Sequence, residues 1–198
     1  MIMVNHEKKI IFIATPKCAS TSVKTMFLDY TDNGYRELKK DGYEVSRHLR
    51  AKSWNLPKNE LKKNNFKKYL KIQFYRNPYE RAVSCYFHCI HQGSVNFKNF
   101  EEFLKLKIKN KINCSTCNGH SFPQFQTKKI NKLVNIKRMV EEIENINKKY
   151  KINIKAVTAD KHSYRKKGYN YKDYLTPENK TLIKKAFKED FKLNKIFL

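Results

Sequence analysis

The sequence predicts an α/β protein, a single three-layer domain over residues 1–198 with a mostly parallel central sheet flanked by helices. Three observations carry that expectation. Short apolar runs alternate with stretches of helical period, two of those runs lead straight into helices, and no repeat or Gly/Ser/Pro-rich linker divides the chain.

In chain order, residues 9–14 read as a buried strand. Residues 20–30 follow as a helix, because Val23, Met26, Phe27 and Tyr30 fit the spacing i, i+3, i+4, i+7. A second strand spans 69–75 and runs into Arg76-Asn77-Pro78. Asn77 is a plausible N-cap and Pro78 suits the first helical position, which opens a helix to about residue 92. Residues 97–109 and 139–150 read as helices, and 152–157 as a candidate strand. Thr176-Pro177 opens a last helix with Leu182, Ile183, Ala186, Phe187 and Phe191 on one side.

At 198 residues the chain can bury one substantial core, whereas two full domains would be cramped. Its 43 Lys+Arg against 18 Asp+Glu predict attraction to anions: nucleotides, nucleic acid, anionic glycans or acidic membranes. Only seven of the basic residues are Arg, so much of the excess also fits a solvated lysine-rich surface. No window approaches the roughly 20 apolar residues of a membrane span, and the N-terminus lacks a signal-like cleavage site. The chain therefore reads as soluble and cytoplasmic. Five cysteines are too few and odd in number for a disulfide scaffold, which points to a reduced compartment.

The chemistry concentrates in two stretches. "ATPKCASTS" (Ala14 to Ser22) joins the first strand to the first helix, where unpaired backbone N–H groups and the positive end of the helix dipole favour an anion. Pro16, Lys17, Cys18, Ala19, Ser20, Thr21 and Ser22 are the candidate binding residues, Lys17 adding charge and the hydroxyls adding donors. The same residues also fit a plainer arrangement, with Ser20 or Thr21 capping a core helix. A Walker A loop is excluded, because it needs glycines and places its lysine late. In "FYRNPYERAVSCYF" (Phe74 to Phe87), Arg76 precedes the first turn of a helix that carries Arg81, Ser84 and His88 on one face. Arg76 and Ser84 can converge on one anion, or Arg76 can pair with Glu80.

"TPKCASTS" resembles the 5′-phosphosulfate loop of the sulfotransferases, which holds the sulfonate donor PAPS (3′-phosphoadenosine 5′-phosphosulfate). "YRNPYERAVSCYF" is similar to the same superfamily's 3′-phosphate motif, an Arg followed eight residues later by a Ser. The pattern is most similar to carbohydrate sulfotransferases of the heparan 2-O and chondroitin/HNK-1 type and their short bacterial and viral relatives. In those, "DYLTPENKTLIKKAFKEDFKLNKIF" has its counterpart in a C-terminal tyrosine, a T-P-E helix and a terminal Asp-Phe segment. "YRKKGYNYKDYLT" resembles the loop that closes over the 3′-phosphate in cytosolic members, with one Lys inserted, which makes Arg165, Lys166 and Gly168 secondary candidates beside a plain basic loop.

The resemblance implies a P-loop-like sulfotransferase fold and in-line transfer of a sulfonate from PAPS to an acceptor hydroxyl, with a carbohydrate as the expected acceptor and no metal. Lys17 would stand where charge develops on the leaving nucleotide. A histidine is the expected base, since its pKa lies near neutrality. His48, between the two motifs with Ala51 shortly after it, comes first. His120, in "NGHSFPQFQ", resembles the H-x-x-PQ stretch of the HNK-1-type branch and comes second, as base or acceptor contact. His162 is third, and Glu44 and Asp160 stay as carboxylate alternatives. Relatives in animals are Golgi proteins with an anchor and stem ahead of the donor loop, which is the departure behind the cytoplasmic expectation.

"CSTCNGH" (Cys114 to His120) has ligand-like spacing, and Cys85, His88 and Cys89 could complete a zinc set. With no second CxxC or HxxxH at the usual distance, a disulfide or a reduced packing pair of Cys114 and Cys117 is the better expectation. Cys18 reads as a small filler or, at a helix N-terminus, a reactive thiol. A different class of function also fits the charge: a nucleic-acid-binding protein whose lysines track a phosphate backbone, with aromatics interleaved as in "YNYKDY". A nucleotide kinase is disfavoured by the missing Walker glycines and the lack of a Mg²⁺ carboxylate near the loop.

Overall fold

The computed structural model describes residues 2–5, 8–27, 30–31, 34–35, 43–45, 68–91, 95–112, 117, 120–121, 123–124, 130–157 and 170–192. It has two compact units, Met1–Tyr75 with Gln126–Lys161 and Arg76–Phe125 with His162–Leu198.

The first unit holds the sheet. Its strands are β1 (Ile2–Asn5), β2 (Ile10–Ile13), β5 (Tyr43–Val45), β6 (Leu70–Tyr75) and β7 (Lys132–Asn135), in the order β5-β1-β2-β6-β7. Strands β2, β6 and β7 are mutually parallel, as the fold class requires, and β1 adds antiparallel pairings to β2 and β5. All four residues of β2 are buried, the expected state of an interior strand in a parallel sheet. Ile10, Phe12 and Ala14 alternate onto one face, where they meet Ile72 and Phe74 of β6 and Val134 of β7. Helices α1 (Ser20–Phe27) and α4 (Met139–Tyr150) cover that face with Val23 and Met26, and with Met139, Ile143 and Ile146. A separate antiparallel pair joins β3 (Tyr30–Thr31) to β4 (Gly34–Tyr35).

The second unit is helical. Its elements are α2 (Pro78–His91), α3 (Phe100–Ile108), a 3-10 turn (Tyr171–Tyr174), α5 (Pro177–Ala186) and α6 (Lys188–Phe191). Ala82, Val83, Phe103, Leu104, Ile183 and Phe187 are among the side chains of its core. Tyr86 sits in an aromatic cluster with Phe97, Phe100, Phe103 and Tyr174, where burial and then the neighbouring Tyr174 push its phenol pKa up.

The expected starts of α2 and α5 hold. Asn77 Oδ1 accepts from Tyr79 N at 2.9 Å ahead of Pro78, and Thr176 Oγ1 accepts from Asn179 N at 3.1 Å ahead of Pro177. For α3 the cap is Asn99, which accepts from Glu102 N at 2.9 Å, so this helix starts later than residue 97. Two other boundaries differ from the sequence reading. Helix α1 stops at Phe27 and Tyr30 opens β3, so the apolar period ran past the helix end. The last helix divides at Phe187 into α5 and α6.

Residues 152–157 are not a strand, and the third parallel strand is β7 instead. The physical reason is local: Asn147 Nδ2 donates to Ile154 O at 2.8 Å and Ile154 N donates to Asn147 Oδ1 at 3.1 Å. A side-chain amide has taken the place of a neighbouring strand, while the Ile154 side chain still enters the core. Asn147→Ala leaves both backbone groups of Ile154 without these partners. It is expected to lower stability by about 1–3 kcal/mol in denaturant unfolding, and a midpoint equal to wild type would show that the clamp contributes nothing.

Candidate functional site

Strand β2 ends at Ile13, and residues 16–19 form a turn before α1. Two residues of that turn have left-handed backbone without being glycine, Lys17 with φ 62° and Ala19 with φ 54°. Each such residue costs about 1–2 kcal/mol relative to ordinary backbone. The alternation of left-handed and ordinary residues is the pattern that turns successive N–H groups toward one concavity, a nest suited to an anion. Cys18 N donates to Thr15 O at 3.1 Å, and the first helical bond of α1 runs from Val23 N to Ala19 O at 2.9 Å. Ala19 therefore occupies the cap, which overturns the alternative of Ser20 or Thr21 as capping residue. An alanine has no side-chain oxygen to offer the first-turn N–H groups.

Within the turn, Pro16 and Cys18 are buried and Lys17, Ala19 and Ser20 are half-buried. Cys18 is wholly enclosed, consistent with a filler rather than an exposed reactive thiol. Ser22 is buried in α1, and Thr21 lies in its first turn. Beneath the turn, Gln73 Nε2 of β6 donates to Thr15 Oγ1 at 3.1 Å, and Gln73 is in register with Ile13 of β2.

Arg76 is the first residue after β6 and belongs to no regular element. Its Nε lies 3.5 Å from Glu80 Oε2, so the pairing considered from the sequence is formed. That separation is an ion pair rather than a good hydrogen bond, and the buried Nε has no hydrogen-bond partner among the described residues. The main chain of Arg76 is held firmly. Gln124 Oε1 accepts from Arg76 N at 3.1 Å and Gln124 Nε2 donates to Arg76 O at 3.1 Å. Ser84, two turns along α2, is half-buried.

Arg81 lies one turn into α2. It is completely buried, with Nη1 donating to Asp190 Oδ2 at 2.6 Å and Nη2 to His120 O at 3.1 Å. The other Asp190 oxygen, Oδ1, accepts from Gln124 N at 2.7 Å. His120 is fixed through its carbonyl, which also accepts from Cys85 Sγ at 3.2 Å, while its ring lies 4.0 Å from that of His88. Nearby, Lys107 Nζ donates to Ser121 Oγ at 3.2 Å and lies over the Phe187 ring, and burial pushes its ammonium pKa down.

Of the zinc candidates, Cys85, Cys89 and Cys117 are buried. Among the described residues, no group of three or more His, Cys, Asp or Glu is placed to hold a metal ion. Cys114 lies outside the described residues. So do His48, His162, Asp160, Arg165, Lys166 and Gly168.

Sequence reasoning missed Gln124 and Asp190 as partners of the second motif. The available signal was Arg81 itself: an arginine among Ala82, Val83 and Cys85 on a helix demands a buried carboxylate. Spacing could not choose Asp190, 109 residues away.

The left-handed turn makes a testable claim. Ala19→Gly removes a steric penalty and is expected to stabilise the fold by about 1 kcal/mol in denaturant unfolding, whereas a less stable variant would mean that Ala19 is not left-handed.

No curated protein and no solved structure matches the chain. The profile of the sulfotransferase family matches residues 1–195, and a match of that extent shows that the chain belongs to the sulfotransferase family.

Proposed function

We propose that the protein moves a sulfonate group from PAPS to an acceptor hydroxyl on a carbohydrate, the whole chain 1–198 acting as one sulfotransferase domain. Family membership supports sulfotransfer as the general activity, from a nucleotide donor to a hydroxyl. The observation that carries the donor assignment is the turn after β2, with left-handed Lys17 and Ala19. Backbone N–H groups of such a turn, with Ser20, Thr21 and Ser22, suit a 5′-phosphosulfate. The incompletely partnered guanidinium of Arg76, with Ser84 on the following helix, suits the 3′-phosphate. Glu80 is the group such a phosphate would have to compete with.

In this reading the acceptor oxygen attacks sulfur in line as the bond from sulfur to the bridging oxygen breaks. Lys17 stabilises the charge that grows on that oxygen, and adenosine 3′,5′-bisphosphate leaves. The acceptor proton passes to a base, His48 in first place, with His120 and then His162 behind it. The ring of His120 packs on His88, which suits a positioned acceptor contact as well as a base. Arg165, Lys166 and Gly168 are proposed as secondary donor contacts. No step in this scheme calls for a metal ion.

No helix among the described residues is long and apolar enough to cross a membrane. We also propose a cytoplasmic location. The net charge of +25 favours anionic glycans, and it is the one observation that favours a second reading, nucleic-acid binding over many lysines.

The test uses PAPS labelled in the sulfonate, offered with neutral and anionic glycans, tyrosyl peptides and small alcohols. Wild-type protein is expected to label a glycan. Lys17→Ala is expected to lose about 100-fold or more of that turnover with unchanged melting behaviour. Wild-type turnover in Lys17→Ala would remove Lys17 from the mechanism.

A further inference from the structure

We infer that Gln124 is a positioning residue for the donor site, fixing the main chain of Arg76 and so the placement of its guanidinium. This rests on the reading of Arg76 as the 3′-phosphate ligand. Arg76 lies between the end of β6 at Tyr75 and the start of α2 at Pro78, where neither a strand ladder nor a helix supplies backbone partners. The primary amide of Gln124 imitates a peptide group and satisfies both, accepting from the Arg76 N–H and donating to its carbonyl at 3.1 Å each.

The clamp is itself braced. Gln124 is 1 % exposed, and its own N–H donates to Asp190 Oδ1 at 2.7 Å. Asp190, also 1 % exposed, spends its other oxygen on the enclosed guanidinium of Arg81 at 2.6 Å. Arg81 in turn donates to the carbonyl of His120, four residues before Gln124. A carboxylate on α6 is thereby coupled through one side-chain amide to the backbone of Arg76, all inside the second unit. Charge-assisted hydrogen bonds at both Asp190 oxygens give this brace a stiffness that a neutral contact lacks. The result is a preorganised Arg76, which keeps an ion-pairing side chain from sampling other positions when a phosphate arrives.

The experiment compares affinities for adenosine 3′,5′-bisphosphate and 5′-AMP in wild type, Arg76→Ala, Gln124→Met and Gln124→Glu. Methionine keeps the volume and removes both hydrogen bonds, whereas glutamate keeps the acceptor for the Arg76 N–H. Wild type is expected to prefer the bisphosphate, and Gln124→Met to lose about tenfold or more of that preference with 5′-AMP affinity nearly unchanged. Gln124→Glu is expected to fall between the two, and it supplies the reading if Gln124→Met does not fold. Equal losses for both nucleotides would mark general damage and overturn the inference. Full preference in the Gln124 variants, with its loss in Arg76→Ala, would overturn the inference alone. No preference in wild type would overturn the donor reading beneath it.

Discussion

The parallel pairing of β2 with β6 is the constraint on which the functional account depends. Ile13 and Gln73 are in register, so the two strands run out at the same end of the sheet, and each hands the chain directly to one of the two motifs proposed to bind anions. A parallel pair needs a long connection between its strands, and residues between 14 and 69 supply it. The bond from Gln73 to Thr15 ties the base of the first turn to β6. Open α/β sheets bind ligands beyond the carboxyl ends of their strands, and the phosphosulfate site proposed for the turn after β2 follows that rule.

What replaces glycine in the first motif is strain. Phosphate loops usually reach left-handed backbone with glycine, whose freedom makes it cheap. Here Lys17 and Ala19 adopt it, at an energetic cost that the buried strand and the core side chains Val23 and Met26 offset. A lysine in that conformation can present its backbone N–H and its ammonium from the same short turn. In the second motif the device is different: the side-chain amide of Gln124 stands in for a missing backbone neighbour. Asn147 does the same for Ile154, and Asn131 pairs with Lys71 through side-chain Oδ1 and backbone N–H together. The abundance of Asn in a chain so rich in Lys thus has a structural use beyond surface filling.

Strands β2 and β6, the start of α1 and the caps of α2 and α5 were legible because each leaves a local signal: a continuous apolar run in β2, alternating apolar residues in β6, a helical apolar period in α1, and Asn or Thr before Pro at α2 and α5. Strand β7 left none, since only Val134 of its four residues is buried. The short β3–β4 pair was hidden by Tyr30 continuing the helical period of α1, although Asp32-Asn33-Gly34 is a hairpin cue. At the candidate site, residue types and spacing identified the two motifs and the family match bears out the resemblance. Sequence could not reveal the left-handed backbone of Lys17 and Ala19, because neither residue type favours it. Nor could it pair Arg81 with Asp190, since a contact between distant segments is made by the fold and leaves no periodicity.

The strongly basic balance is compatible both with a donor site that attracts a multiply charged nucleotide and with a surface that tracks a nucleic-acid backbone. These differ in how the charge is used. The most direct measurement is calorimetric titration of the protein with adenosine 3′,5′-bisphosphate, with 5′-AMP, ATP and a single-stranded oligonucleotide as comparators over a range of salt. Tight, stoichiometric binding that requires the 3′-phosphate is the predicted result. Failure to bind the bisphosphate, together with oligonucleotide binding that weakens steeply with salt, would contradict the account.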